Sequence, residues 1–391
     1  MSVPNLKVSS TAQNDSVGPR WRPSLRQVIQ GLIGLGVAVG LLVWGLPQFA
    51  GTTWHEIFNI LRHIGLGTAL ELLALMLCGL WLYTFMLTGS LPGLSHPKAL
   101  ILNVSSSSVG NLLPGGGAAG VVATYGICRS WGFSRRDIST SVIVTGVWNV
   151  LGRVALPVIG TGVLLTDASN LPEPLVRAGA SGAVVGLALL GLFITVIVSE
   201  RGATVIGRGL DKALRPLWHR SRVARDMSID ELVHDLRGRL NVVIRTGWRS
   251  MTFGLLGYFG VYFLLFWLSL AAVGVQVTFA HVFAAYAVGR LLSTVGITPG
   301  GVGITEIGTS AVLIAFGATP AAATAGVVLF SIYIHLLEIP LGAIGWVAWG
   351  VSRKQRPVDA LEARPDTGPP APDPSLEATD EVPPTAASAA D

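Results

Sequence analysis

The segment Ser293-Thr294-Val295-Gly296-Ile297-Thr298-Pro299-Gly300-Gly301-Val302-Gly303 has a counterpart earlier in the chain, Ser107-Ser108-Val109-Gly110-Asn111-Leu112-Leu113-Pro114-Gly115-Gly116-Gly117. Each carries a small polar pair, then Val-Gly, then Pro-Gly-Gly. Each proline stands 49 residues after the start of a long apolar run, at 65 and at 250. The two segments therefore read as copies of one unit. Proline removes a backbone donor and clashes with the preceding turn, while Gly-Gly permits a sharp reversal. A helix broken in hydrocarbon leaves N–H and C=O groups unpaired, which is tolerated only where protein or a watery cavity covers them. Regions 98–128 and 282–318 are therefore expected to be re-entrant helical hairpins whose tips meet inside the membrane. Two ordinary short spans in each region are the alternative, and they preserve the overall topology.

The rest of the chain supports a membrane setting. Of 391 residues, 51% are hydrophobic and 13% charged, half the charge of an average soluble domain at about 25%. A water-facing surface cannot be built from so few charges. Apolar runs long enough to cross a bilayer, about 20 residues, fall at 27–46, 65–88, 138–165, 175–199, 250–273 and 320–350. The run 27–46 reads as an uncleaved signal anchor behind a polar N-terminus, 1–26. The expected fold is an all-α polytopic membrane protein over 27–352, with six full transmembrane helices and two re-entrant hairpins. Residues 357–391 hold eight acids, eight prolines and one base, a composition expected to stay disordered. The tail is taken to begin at 353.

Lys and Arg in the loops set orientation. Eleven bases lie in 200–249, others precede residue 27, and Arg129, Arg135, Arg136, Arg353, Lys354 and Arg356 flank spans. Six spans with both termini in the cytoplasm put all of these inside. The basic excess then reports orientation rather than nucleic-acid binding, with contact to anionic lipid head groups as a compatible extra. Three crossings separate the spans at 65 and 250, so the two units point in opposite directions. Inverted repeats with broken helices are a design of secondary transporters.

Charged groups in mid-bilayer cost about 2.5–3.5 kcal/mol on insertion scales and need a reason. Arg153 and Arg290 suit a lipid phosphate, because guanidinium binds phosphate in bidentate fashion; an internal ion pair with Glu306 or Glu338 explains them equally. Glu306 either caps the returning half-helix or lines a cavity. The N–H groups of Gly115, Gly116, Gly300 and Gly301 form an anion nest or merely turn tightly. His335 and Glu338, three apart, form a proton relay or a packing pair. Glu71 reads as interfacial. The run Ser105–Ser108, with Asn103 and Asn111, lines a cavity or bonds to neighbouring helices. Gly36/Gly40 and Gly182/Gly186 read as close-packing contacts, and the tryptophans as an interfacial belt. The two cysteines and seven histidines show no metal-ligand spacing, and there is no Walker A loop, so neither metal nor cofactor is expected.

The chain resembles the flippase-like transmembrane region of lysylphosphatidylglycerol synthases. Arg290, Pro299-Gly300-Gly301-Val302-Gly303 and Glu306 carry the stronger match; Asn111, Pro114, Gly115 to Gly117 and Arg153 carry the other. A polar or acidic residue would be expected after the first glycine cluster, where this chain has Ala118-Ala119. The resemblance covers roughly residues 25–352. It implies lipid translocation in the plasma (inner) membrane rather than aminoacylation, since nothing after 352 reads as an ordered transferase domain. The leading expectation is a flippase for an anionic lipid, of phospholipid or polyprenyl-phosphate type, with Asn111, Pro299 and the residues above at the site. An integral-membrane enzyme acting on lipid head groups, with Glu306, His335 and Glu338 as acid/base groups, is the runner-up. A partner-binding membrane subunit is the third reading; a homo-oligomer is compatible with all three.

Overall fold

In a bilayer, helices associate through close packing at small residues rather than by burying apolar surface. The computed structural model describes residues 39–113, 116–165, 229–294 and 298–354, with isolated helical positions at Gly36, Val37, Val184, Leu187, Ala188 and Gly191. The expected N-terminal tail 1–26, the Pro114-Gly115 turn, most of the 175–199 span, residues 200–228 and the acidic tail lie outside the described residues.

Among the described residues every regular element is helical. A π-helical turn, Leu41–Gly45, leads into α1 (Leu46–Ala50), which ends at Gly51 in a left-handed conformation. Helix α2 (Trp54–Leu61) starts with a capping box. The Glu56 amide donates to Thr53 Oγ1 at 3.3 Å, and the Thr53 amide donates to Glu56 Oε2 at 3.0 Å. Then come α3 (Leu66–Ser90), α4 (His96–Leu112), α5 (Gly116–Ser130) and α6 (Arg135–Leu165). The second half repeats the order: α7 (Ile229–Ala272), α8 (Phe279–Leu292), a 3-10 turn at Pro299–Gly301, α9 (Ile304–Ala315), α10 (Pro320–Ser331) and α11 (Glu338–Lys354). The π-helical turn Ile332–Leu336 joins α10 to α11.

Among the described residues, four segments are long and apolar enough to cross a membrane: Leu66–Ser90, Arg135–Leu164, Arg245–Ala272 and Pro320–Ser352. They coincide with the expected spans at 65, 138, 250 and 320. The segment read as a basic loop over 200–249 is corrected in its second half, because helix α7 already begins at Ile229.

Among the described residues, helices α3 and α7 make the most extensive pairing. Their contacts run in opposite senses. Gly89 lies against Gly247, Met86 against Gly254, Leu82 against Gly257 and Gly79 against Tyr262. The helices that open the two units are thus antiparallel. The approach is backbone to backbone: a Cβ on Gly247 would sit 2.0 Å from the Gly89 carbonyl oxygen. Tyr262, Phe266, Met251 and Tyr286 fill the core beside this seam.

Each unit folds its two short helices back on one another. In the first, Gly110 meets Gly116, and Gly120 lies against Ser106. In the second, Gly289 faces Thr309 and Gly308 faces Leu292. Both α4 and α5 pack on the Pro299–Gly301 turn, so the two tips touch. Helix α11 closes on α4 through Gly342 against Ser108 and Gly345 against Ser105. Around Gly36 and Gly40 nothing lies within 4 Å of an added Cβ among the described residues. Gly182/Gly186 lie outside the described residues. Two of the tryptophans read as belt residues also pack: Trp346 and Trp349 flank a second apolar cluster, and Trp349 Nε1 donates to Ser130 Oγ at 2.8 Å.

Candidate functional site

The tips meet where α6, α7 and α8 bring polar groups together. A cavity of about 770 Å³ lies between them, lined by both hairpins, α6, Tyr83, Tyr258, the Gly300-Gly301 turn, His335 and Glu338. Its α6 wall is one helix face. Ser141, Thr145, Asn149 and Arg153 recur every four residues along it. The stripe spans about 18 Å at 1.5 Å per residue. The sequence reading found Arg153 and missed the rest, although the four-residue polar period inside an apolar span was visible.

Arg153 stands at the inner end of this stripe. Its Nε is buried and has no hydrogen-bond partner among the described residues. Arg290, 8% exposed, comes from the last turn of α8. Its guanidinium lies over three rings, 5.2 Å from the centroid of Tyr286, 5.4 Å from Phe330 and 5.8 Å from Tyr262. Such stacking of a desolvated cation contributes about 2 kcal/mol and fixes the plane of the fork. Both guanidinium-bearing residues border the cavity. Among the described residues neither has a carboxylate in an ion pair. The internal pairs with Glu306 or Glu338 that the sequence allowed are therefore not made.

Glu306 serves its own helix. The Gly303 amide donates to Oε2 at 2.6 Å, Thr305 Oγ1 lies 2.9 Å from the same oxygen, and the Ser331 hydroxyl donates to Oε1. At 2% exposure it caps α9 and ties it to α10, and it borders a separate small cleft of about 40 Å³ rather than the main cavity. His335 Nδ1 is 4.0 Å from Glu306 Oε1 and 3.1 Å from Ser331 Oγ, and its Nε2 is 3.2 Å from the Gly300 carbonyl. Glu338 instead accepts from Asn111 Nδ2 at 3.0 Å. His335 and Glu338 thus both border the cavity but hold different tips. The π turn separates their partners: the Leu337 amide bonds to the Ile332 carbonyl, five residues back.

Gly300 (φ 60°) and Gly301 (φ 79°) are left-handed, and Pro299 is buried. A Cβ on Gly300 would lie 2.9 Å from Asn111 Oδ1 and 3.0 Å from the His335 ring. Gly300→Ala is therefore expected to lower stability by about 2 kcal/mol, from left-handed strain plus displacement of the other tip. A thermal melt in detergent reads it. Gly116 begins α5 at the first tip, and Gly115 lies outside the described residues.

The serine run divides. Ser105 and Ser108 are buried against α11, while Ser106 and Ser107 face the cavity with Asn103 and Asn111. Glu71 is exposed on α3. No group of three or more His, Cys, Asp or Glu side chains that could hold a metal occurs among the described residues. Among known proteins, the family model described as Lysylphosphatidylglycerol synthase TM region matches residues 31–342. No curated protein matches the chain.

Proposed function

The chain belongs to the lysylphosphatidylglycerol synthase TM region family, and from that premise we propose that it moves an anionic lipid, or a lipid-linked intermediate, across the bilayer. It is an integral membrane protein. The observation that carries the proposal is the pair Arg153 and Arg290: two guanidinium groups at one cavity, with no carboxylate paired to either among the described residues. A phosphate supplies the missing negative charge and accepts bidentate bonds from a guanidinium fork.

In this reading the short helices are re-entrant. Helices α5 and α9 have 15 and 12 residues, about 22 Å and 18 Å long, short of the hydrocarbon thickness of about 30 Å. The antiparallel α3–α7 seam supports an inverted repeat. Rocking of one repeat against the other exposes the phosphate site to each leaflet in turn. In this reading the protein sits in the plasma membrane with six full spans, and the basic flanks favour both termini in the cytoplasm. Asn111, Gly116, Pro299, Gly300 and Gly301 form the meeting tips, with Gly115 in the first turn. Glu306 positions α9. His335 and Glu338, each bonded to a different tip, are placed to shift a proton as the tips separate.

The test is purified protein in liposomes with fluorescently tagged phosphatidylglycerol. Reductant added outside destroys the outer-leaflet label. Continued loss from the inner leaflet, absent in empty liposomes, is expected. Chemically altered lipid would favour a head-group enzyme, and movement requiring a second protein would favour a subunit; either outcome overturns the proposal.

A further inference from the structure

The walls of the main cavity carry more chemistry than a phosphate uses. An anionic phosphate presents acceptors and needs donors, which the two arginines provide. The walls between them mostly offer the opposite. Thr145 Oγ1 donates to the Ser141 carbonyl at 2.8 Å, so only its lone pairs face the cavity. Thr124 Oγ1 donates to the Gly120 carbonyl at 2.9 Å. Ser106 Oγ, 3.0 Å from Thr124 Oγ1, must then supply the proton of that bond, and it too is left as an acceptor. Asn149 spends its amide protons on Tyr83 Oη at 2.8 Å and the Thr145 carbonyl at 2.9 Å. Its carbonyl oxygen remains, and Tyr83 keeps a proton to give. The walls therefore present several neutral acceptors together with neutral donors, the Tyr83 and Thr298 hydroxyls and the Asn103 amide among them.

Neutral acceptors match ligand hydroxyls. They match an ammonium group poorly, because two neighbouring guanidinium charges repel it. Glu338, the acid bordering this cavity among the described residues, is already bonded to Asn111. Ala118, on the same wall, adds no charge. We infer that the transported head is a phosphate bearing a neutral polyhydroxyl group, a polyol or sugar phosphate, rather than an amine-bearing head. This rests on the transport reading and narrows its substrate. A cavity of about 770 Å³ has room for such a head, at the upper part of the usual range for ligand sites of about 300–1,000 Å³.

The experiment is calorimetric titration of the full chain in detergent with three soluble probes: glycerophosphoinositol, glycerophosphoethanolamine and inorganic phosphate. Glycerophosphoinositol is expected to bind about tenfold tighter than glycerophosphoethanolamine, the equivalent of one or two net hydrogen bonds. In a Thr145→Val, Ser106→Ala double variant that ratio is expected to fall to about two. Equal binding of the two probes by the wild type, or a ratio untouched in the double variant, overturns the inference. If all three still bind and Arg290→Met weakens them alike, the phosphate site survives that failure. If none binds, the transport reading itself falls. Liposomes containing tagged phosphatidylinositol or phosphatidylethanolamine separate the sources of the head. Faster movement of the inositol lipid is expected. Discrimination in solution without movement in vesicles makes the ligand a free polyol phosphate and overturns the lipid form of the inference.

Discussion

Arg290→Met is expected to slow lipid movement in liposomes by at least about tenfold while leaving the melting temperature in detergent unchanged or higher. The two readouts part because the guanidinium has two opposite effects. Holding a buried cation without a paired carboxylate disfavours folding, and replacing a buried charge with an apolar side chain of similar length is often neutral or stabilising. Methionine fills much of the space among Tyr262, Tyr286 and Phe330, so little cavity penalty arises. A charge-assisted bond to phosphate is worth about 1.5–3 kcal/mol, which is one to two powers of ten in rate if it forms in the moving state. Arg290→Lys keeps the charge but loses the fork, and should fall between. A Met variant that melts early and carries lipid normally would assign Arg290 to packing.

Gly247→Ala is expected to damage folding most among single-methyl changes outside the cavity. The new Cβ would stand 2.0 Å from a carbonyl oxygen of Gly89, and neither partner is a side chain that can swing away. Helices α3 and α7 would have to separate along their whole seam, at a cost of about 3 kcal/mol. Gly260→Ala on the same helix is the control. Nothing lies within 4 Å of its added Cβ, and the gain in helix propensity is up to about 1 kcal/mol. Thermal unfolding in detergent of the two variants side by side checks the contrast. Equal melting temperatures would mean that the seam is loose.

The fold was legible where backbone chemistry leaves a mark. Pro299-Gly300-Gly301 and its earlier copy announced two helix breaks, and the runs at 65, 138, 250 and 320 announced the long helices, because a span needs length and little else. The site was half legible. Arg153 and Arg290 stand out, since a charge in an apolar run is conspicuous. Ser141, Thr145 and Asn149 do not, since hydroxyl and amide groups occur in ordinary membrane helices, and only their four-residue period set them apart. Glu306 could be read either as a cap or as a cavity group from its position after the break, and only the folded arrangement brings Gly303 and Ser331 onto its oxygens. The division of Ser105 and Ser108 from Ser106 and Ser107 depends on the two α11 glycines, more than 230 positions away. The wide turn at Ile332–Leu336 left no trace, because a residue's type does not show whether its amide bonds four or five residues back.

That wide turn fixes the angular phase of everything after it. It winds one residue more than an α-helix would place in the same rise. Were the same sequence wound as plain α-helix, α11 would be rotated by roughly 100° about its axis. Glu338 would swing off Asn111, and Gly342 and Gly345 would no longer receive the serines of α4. A single surplus residue thus keys two halves of one rod to two different locks, with Phe330 and Ser331 fitted to the second hairpin and Glu338 to the first. Insertions or deletions of one residue between Ser331 and Glu338 should therefore uncouple the hairpins, although Phe330, Ser331, Glu338, Gly342 and Gly345 would all still be present.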